Sequence, residues 1–412
     1  MGYKSDLQSN NAELEEILAA IIALPDAGDP DPAPIVTVEK DVNFWDYDGT
    51  LLYSYTLEEA QALTELPPAP TPKKDFLLFD EWNWTLAQIK SLNLPVDVGA
   101  TYKTVDDKTY LVIDVTEPEH MEITLNYCQW NNSMVVNWGD GSAEEETTQS
   151  GGANVTKKHT YGSLGRYTIT IKAASTWNAG LNNATAPLVG MGYNDILSGA
   201  FLKEVYTGKG IRLLSYAFFR CFQLETVMLS KQVSTAENWT SVFTHCYKLK
   251  AMVFPSNVTV VTGSYMDYCY SLSLLSLPYN MTKASGFSTS LIKRFVAGPN
   301  LKFFSIGSCY YLKNVWISDG VEKLGGACFA NGAILETIEL PSSINAIDYQ
   351  AFYNCTSLKR IRFKSATPPT VSNSSAFSGI PTTSIVEVPA GSLTTYQNAT
   401  NYGTIAAQMV GV

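Results

Sequence analysis

The chain has 412 residues, 45% of them hydrophobic and only 16% charged, with a formal net charge of −11. That length allows several domains and a real core. An acidic chain without a basic stripe is a poor partner for nucleic acid or an anionic membrane, and a charge-poor, Tyr- and Gly-rich mix suits β-rich recognition surfaces.

The start, MGYKSDLQSNNAELEE, lacks a cationic segment followed by an apolar core, so no secretory signal is expected. LAAIIAL (18–24) is too short to span a bilayer, and no membrane insertion is expected. Within residues 1–24, residues 5–24 carry a heptad. Leu7, Leu14 and Ile21 fall at one core position and Asn10, Ile17 and Leu24 at the other. Leu at the first with Ile at the second favours more than two strands, and a core Asn sets register, so a short parallel homotrimeric coiled coil is expected. The alternative is an amphipathic helix packed on its own chain. Residues 25–40, beginning PDAGDPDPAPIV, read as a stiff linker.

Residues 41–117 read as a small α+β connector. Its helices are expected in TLEEAQALTEL and WTLAQIKSL, and VDDK is expected to turn a hairpin into TYLVIDV. It begins FWDYDGTLL. Asp-x-Asp-Gly-Thr after an apolar run resembles the opening of a haloacid-dehalogenase-type phosphatase, which implies Asp46 as nucleophile and Asp48 as general acid. That chemistry also needs converging carboxylates for Mg²⁺ and a parallel α/β sheet to position them. Asp106–Asp107 further on read as a hairpin turn, so an apolar strand ending in an Asp-Gly turn is the cheaper reading and no enzyme is expected.

Residues 118–175 alternate as an all-β unit, with NWGDGS, then HTY, then GRYTITI. Together they resemble the PKD family of immunoglobulin-like sandwiches, which implies a spacer without catalysis. Calcium at the Gly-Asp-Gly turn is the lesser reading. Residues 176–198 read as a linker.

From 199 to 400 the chain repeats itself. An apolar residue is followed by Cys three positions on, then by Leu and a short strand, as in FFRCFQLETVML, FTHCYKLKAMVF and FYNCTSLKRIRF. The slot falls at 221, 246, 269, 309, 332 (Gly) and 355, at intervals of 25, 23, 40, 23 and 23 residues, and Cys328 sits out of register at the position of Ala351. Seven cysteines with no Cys-x-x-Cys pair argue against disulfides or zinc, so Cys221, Cys246, Cys269, Cys309 and Cys355 are expected to be structural. This pattern, with LPSSINAIDYQAFYNCTSLKRI, resembles the BspA-like leucine-rich repeats, which implies a solenoid of stacked units sharing one core. Residues 401–412 read as a tail. The fold class is therefore multidomain and mainly β: coiled coil, α+β connector, PKD-like sandwich and BspA-like solenoid.

His120, His159 and His245 lie in different modules and form no ligand pair. No metal or cofactor is expected. Residues after the Cys slot point outward, which marks Phe222, Tyr247, Tyr270 and Tyr310, with Tyr311, Trp316 and Trp239 nearby, as candidate receptor contacts. The order of parts (YDGTLLYSYTLEEAQALTELPPAPT, EWNWTLAQIKS, the Trp-Gly-Asp-Gly module, then the repeats) resembles proteins encoded in phages and prophages of gut bacteria. The resemblance implies a virion receptor-binding protein or tail-fibre component, assembled in the bacterial cytoplasm. Its partners would be a host-cell surface protein or glycan, other tail or baseplate proteins, and itself. The alternative is a BspA-like adhesin on a bacterial surface.

Overall fold

A computed structural model describes residues 39–118, 121–130, 132–149, 155–179, 189–190, 201–233, 241–288, 290–308 and 310–412. The heptad residues Leu7, Asn10, Leu14, Ile17, Ile21 and Leu24 lie outside them, as do His120, Trp239 and Cys309.

Thr56 and Thr85 each open a helix with a reciprocal capping box, to Glu59 and Gln88. The helices are short: α1 is Leu57–Ala62 and α2 is Leu86–Leu92, where left-handed Asn93 ends the second. They flank β1 (Val42–Trp45), β2 (Leu51–Tyr55), β3 (Leu77–Trp82) and β4 (Val96–Thr104), which form one sheet in the order β2-β1-β4-β3. Only β1 and β4 run parallel.

Beyond Val105–Lys108 the chain does not return as a hairpin. Asp107 takes φ 64°, and β5 (Thr109–Val115) leaves the connector for another sheet. There it pairs antiparallel with β10, and β6 to β15 follow as Glu122–Trp130, Asn132–Asn137, Glu145–Gln149, Val155–Thr160, Gly165–Ala173, Trp177–Ala179, Val189–Gly190, Leu202–Tyr206, Ile211–Leu213 and Thr226–Met228. One sheet runs β15-β13-β5-β10-β7-β8. A second runs β12-β6-β11-β14, with β9 on β6.

The expected boundaries therefore shift. The 41–117 unit gives its last strand to the next module, and the 176–198 stretch contributes β11 and β12 to a sheet. First-repeat strand β13 lies on β5, and β14 lies parallel to β11. The two-sheet module is thus an end cap on the repeats, burying the face that the first repeat would otherwise expose. A single apolar core runs from Leu111, Trp138 and Ile169 through Phe218 and Phe243 to Tyr402 and Met409.

The repeats wind as a β-solenoid of about nine turns. Two ladders of short parallel strands run along it. One includes Ala251–Val253, Leu274–Ser276, Arg294–Ala297, Asn314–Ile317, Thr337–Leu340, Arg360–Phe363 and Ile385–Val388. The other, unbroken over six strands, runs from Val260–Val261 to Thr370–Val371. Between them the turns still bond to one another. The amides of Phe218 and Arg220 donate to Val242 and Thr244 oxygens at 2.9 Å, and Phe352 and Asn354 repeat the pattern on Ala376 and Ser378.

The cysteine slot completes this ladder. The Cys246 thiol donates to the Phe218 carbonyl (3.2 Å), Cys269 to Phe243 (3.1 Å) and Cys355 to Phe329 (3.1 Å). A small buried donor satisfies a carbonyl one turn back, which Ala could not do. Out-of-register Cys328 is equally buried and reaches the Phe304 carbonyl at 3.5 Å. Desolvation pushes these thiols up, Cys355 to about 12, so they stay protonated and unreactive. Residues 401–412 are no loose tail. Tyr402 and Ile405 are buried and Met409–Gly411 extends the strand ladder.

Candidate functional site

The period places the candidate residues. Phe222, Tyr247 and Tyr270 follow consecutive slots and form one half-buried row, with centroids 5.0 and 5.2 Å apart and planes tilted about 30°. Beside them runs a second row that the sequence reading did not mark. The position before each slot is left-handed in Arg220, His245, Tyr268, Asn331 and Asn354, at φ 57–65°. Non-glycine residues adopt this region at a cost of roughly 1 kcal/mol, which the bonds between turns offset. The conformation turns these side chains out along one edge. His245 stacks on Tyr268 at 4.6 Å and 3°, and Tyr247 Oη lies 3.3 Å from His245 Nδ1. Further along, Asn354 Nδ2 donates to Asn331 Oδ1 at 3.1 Å.

Tyr310 occupies the same loop position further along, with Tyr311 next to it, and both are about half exposed, with no ring contact to the row among the described residues. Trp316 is separate. It lies on the strand face with the Arg294 guanidinium 5.0 Å over its ring. Tyr349 and Tyr353, both exposed, were not marked from the sequence, because they sit on turns whose slot neighbours are not aromatic.

His245 is pushed down to about 4 from an ordinary 6.5, first by burial and then by the Arg220 guanidinium, with Asp267 opposing. The unfolded chain therefore takes up a proton below about pH 6.5 that the folded chain refuses until about pH 4. Stability is expected to fall across that window and to level off below it. His245→Asn, which keeps the left-handed turn, should remove part of the slope in urea midpoints measured across the window.

The strand face is largely taken. The connector sheet lies on the strands Ala251–Val253, Leu274–Ser276 and Arg294–Ala297. Asn83 Nδ2 donates to Phe254 O and Ser276 Oγ, both at 3.0 Å, while its Oδ1 accepts from Gly99 N at 2.7 Å. Trp84 Nε1 donates to Leu277 O at 2.8 Å. Gly99 is required because a Cβ there would come within 2.2 Å of Val253. Asp97 accepts from Trp45 Nε1 and Arg294 Nε, each at 3.0 Å. Past the connector the face carries charge: Arg362 lies between Glu339 and Glu387, and Lys364 pairs with Glu339 at 2.8 Å. Such exposed pairs stabilise little.

Asp46 and Asp48 shape the β1–β2 turn. Buried Asp46 accepts from Tyr102 Oη (2.7 Å) and Tyr47 N (2.9 Å). Asp48 accepts from Thr50 N (3.1 Å) and holds Lys73, which also donates to Thr50 Oγ1. Burial raises the Asp46 carboxyl, while Lys73 and Thr50 offset burial and lower that of Asp48. No third carboxylate joins them: among the described residues no cluster of three or more His, Cys, Asp or Glu could hold a metal. In the Trp-Gly-Asp-Gly turn, Asp140 accepts from Ser142 N (3.0 Å) and pairs with His159 (2.7 Å), which stacks on buried Trp138. Both carboxylate oxygens are thus engaged, one within the turn and one by His159 on β9. No helix among the described residues is long and apolar enough to cross a membrane.

A comparison with curated proteins returns no match. Among solved structures the chain is similar to a leucine-rich repeat protein from Bacteroides ovatus at 17% identity and TM-score 0.26, over 45% of this chain and 62% of that one. It is also similar to a leucine rich cell surface protein from Faecalibacterium prausnitzii at 15% identity and TM-score 0.28, over 53% of this chain and 86% of that one. The family model for the BspA type leucine rich repeat region matches residues 203–307 and 299–405. The C-terminal half of the chain, with its cysteine-slot turns, is a BspA-type leucine-rich repeat region.

Proposed function

We propose that this is a non-enzymatic recognition protein whose repeat array binds a protein or glycan on a host-cell surface, as a receptor-binding or tail-fibre component of a phage virion. The observation that carries recognition is the row Phe222–Tyr247–Tyr270 with His245 and Tyr268 along its edge. Half-exposed rings held by their neighbours bind with little further loss of conformational freedom. The Asp-x-Asp-Gly-Thr segment supports a non-enzymatic role, since Asp48 is spent on the turn and on Lys73, while Asp46 accepts from Tyr102 and Tyr47 and its other oxygen is buried 3.5 Å from Lys73. The virion setting rests on the order of modules and on the heptad of residues 1–24, which would display the arrays in threes so that weak contacts add. A second reading, a BspA-like adhesin on a bacterial surface, is favoured by the repeat family itself.

Two measurements test this. Fluorescently labelled protein is titrated onto gut bacterial cells, and Tyr247→Ala/Tyr270→Ala should weaken binding at least about tenfold. Unchanged binding would remove the row from the reading. Mass in solution, with and without residues 1–24, separates the settings. A trimer that becomes a monomer supports the virion component, and a monomer in both cases favours the adhesin.

A further inference from the structure

Where the connector ends on the strand face, a polar cleft of about 480 Å³ opens between the α2–β4 loop and the turns at 299, 317–319, 341 and 364. That is the size of a small-ligand site. Ser318 lines it at 4% exposure, with its hydroxyl closed to solvent. Asp319 makes no ion pair and Asn93 makes no side-chain hydrogen bond among the described residues. Lys364 offers a cation already neutralised by Glu339. One wall is apolar: the Tyr279 ring, held edge-on by Trp84 at 5.2 Å, with Pro299 and Pro341 beside it.

We infer that this cleft is a binding site for a neutral saccharide unit. A pyranose presents hydroxyls that both donate and accept, and a flat face of C–H groups. The cleft answers with an acceptor at Asp319, an amide at Asn93 and a ring at Tyr279. It gathers no cluster of cations for a phosphate, and its polar rim does not suit an acyl chain. This deepens the recognition reading by naming a glycan, yet it places the contact on a different surface from the aromatic row.

The test is saturation-transfer NMR of the full chain with lactose, maltose, cellobiose and N,N′-diacetylchitobiose at millimolar concentration. One variant is Asp319→Ala/Asn93→Gly, both exposed, with Gly suited to the left-handed turn at Asn93. The other is Tyr247→Ala/Tyr270→Ala. Transfer from at least one sugar, weakened about tenfold or more by the cleft variant and unchanged by the row variant, is the expected result. Sugar binding lost only in the row variant overturns the cleft and leaves the recognition reading standing. No transfer from any of the sugars also overturns the cleft, while cell binding that still depends on the row would keep recognition intact.

Discussion

Arg294→Ala is expected to lower the free energy of unfolding by roughly 3–5 kcal/mol. Arg294 Nε donates to Asp97 Oδ2 at 3.0 Å, and its terminal nitrogens reach the carbonyls of Lys40 and Asp41. Both side chains of the ion pair are nearly buried, at 13% and 9% exposure. Truncation strands a carboxylate in the junction between connector and repeats, with only Asn43 and Trp45 left to donate to it. It also removes the cation lying over Trp316. Arg294→Lys should recover little, because one ammonium cannot serve the carboxylate and both carbonyls at once. The comparison is Lys302→Ala, which removes an ion pair to Glu322 of 2.9 Å whose side chains are half exposed, and which should cost under ~1 kcal/mol. Urea midpoints measure all three. A smaller m-value for Arg294→Ala would mean that the connector comes away before the repeats unfold. If Arg294→Ala moves the midpoint no further than Lys302→Ala, the junction is held by packing and not by this pair.

The reach of sequence reading follows from how local each feature is. Period alone located the slots, and so brought Phe222, Tyr247 and Tyr270 to one face, because each turn of a solenoid repeats the geometry of the last. Position along the period could not separate Trp316, which lies on the strand ladder and not the loop face. The edge row was harder to see. Asn331 and Asn354 hint at a left-handed turn, but His245 and Tyr268 at the same position do not. Pairing across long separations was invisible. TYLVIDV alternates as well for a hairpin with β4 as for its actual partners β10 and β13, and nothing local says that β13 lies some ninety residues on. The connector's place on the strand face depends on Asn83, Gly99 and Arg294, three residues whose purpose appears only when they meet. The shared core from Leu111 to Met409 makes the two-sheet module a cap, a role that composition could not distinguish from that of a spacer.

That shared core gives the second large effect a spatial signature. Phe352 is fully buried, with its ring 5.3 Å from Phe329 and stacked on Phe377 at 5.6 Å and 6°. Phe352→Ala should cost roughly 3–5 kcal/mol, the usual penalty for emptying an aromatic core site. Neighbouring Tyr353 is 40% exposed, and Tyr353→Ala should stay within about 0.5 kcal/mol. In a solenoid each turn contacts only those beside it, so the loss should be felt toward the nearer end. Phe363, Phe377, Tyr396 and Tyr402 interlock as one terminal aromatic cluster, and Phe352 is what joins it to Phe329. Hydrogen exchange in Phe352→Ala is therefore expected to accelerate from residue 352 to the C-terminus, while the β5–β10 pairing of the cap keeps its protection. Equal loss of protection along the whole chain would instead mean that cap and repeats unfold as one cooperative block, with the two-sheet module transmitting instability as readily as it seals the core.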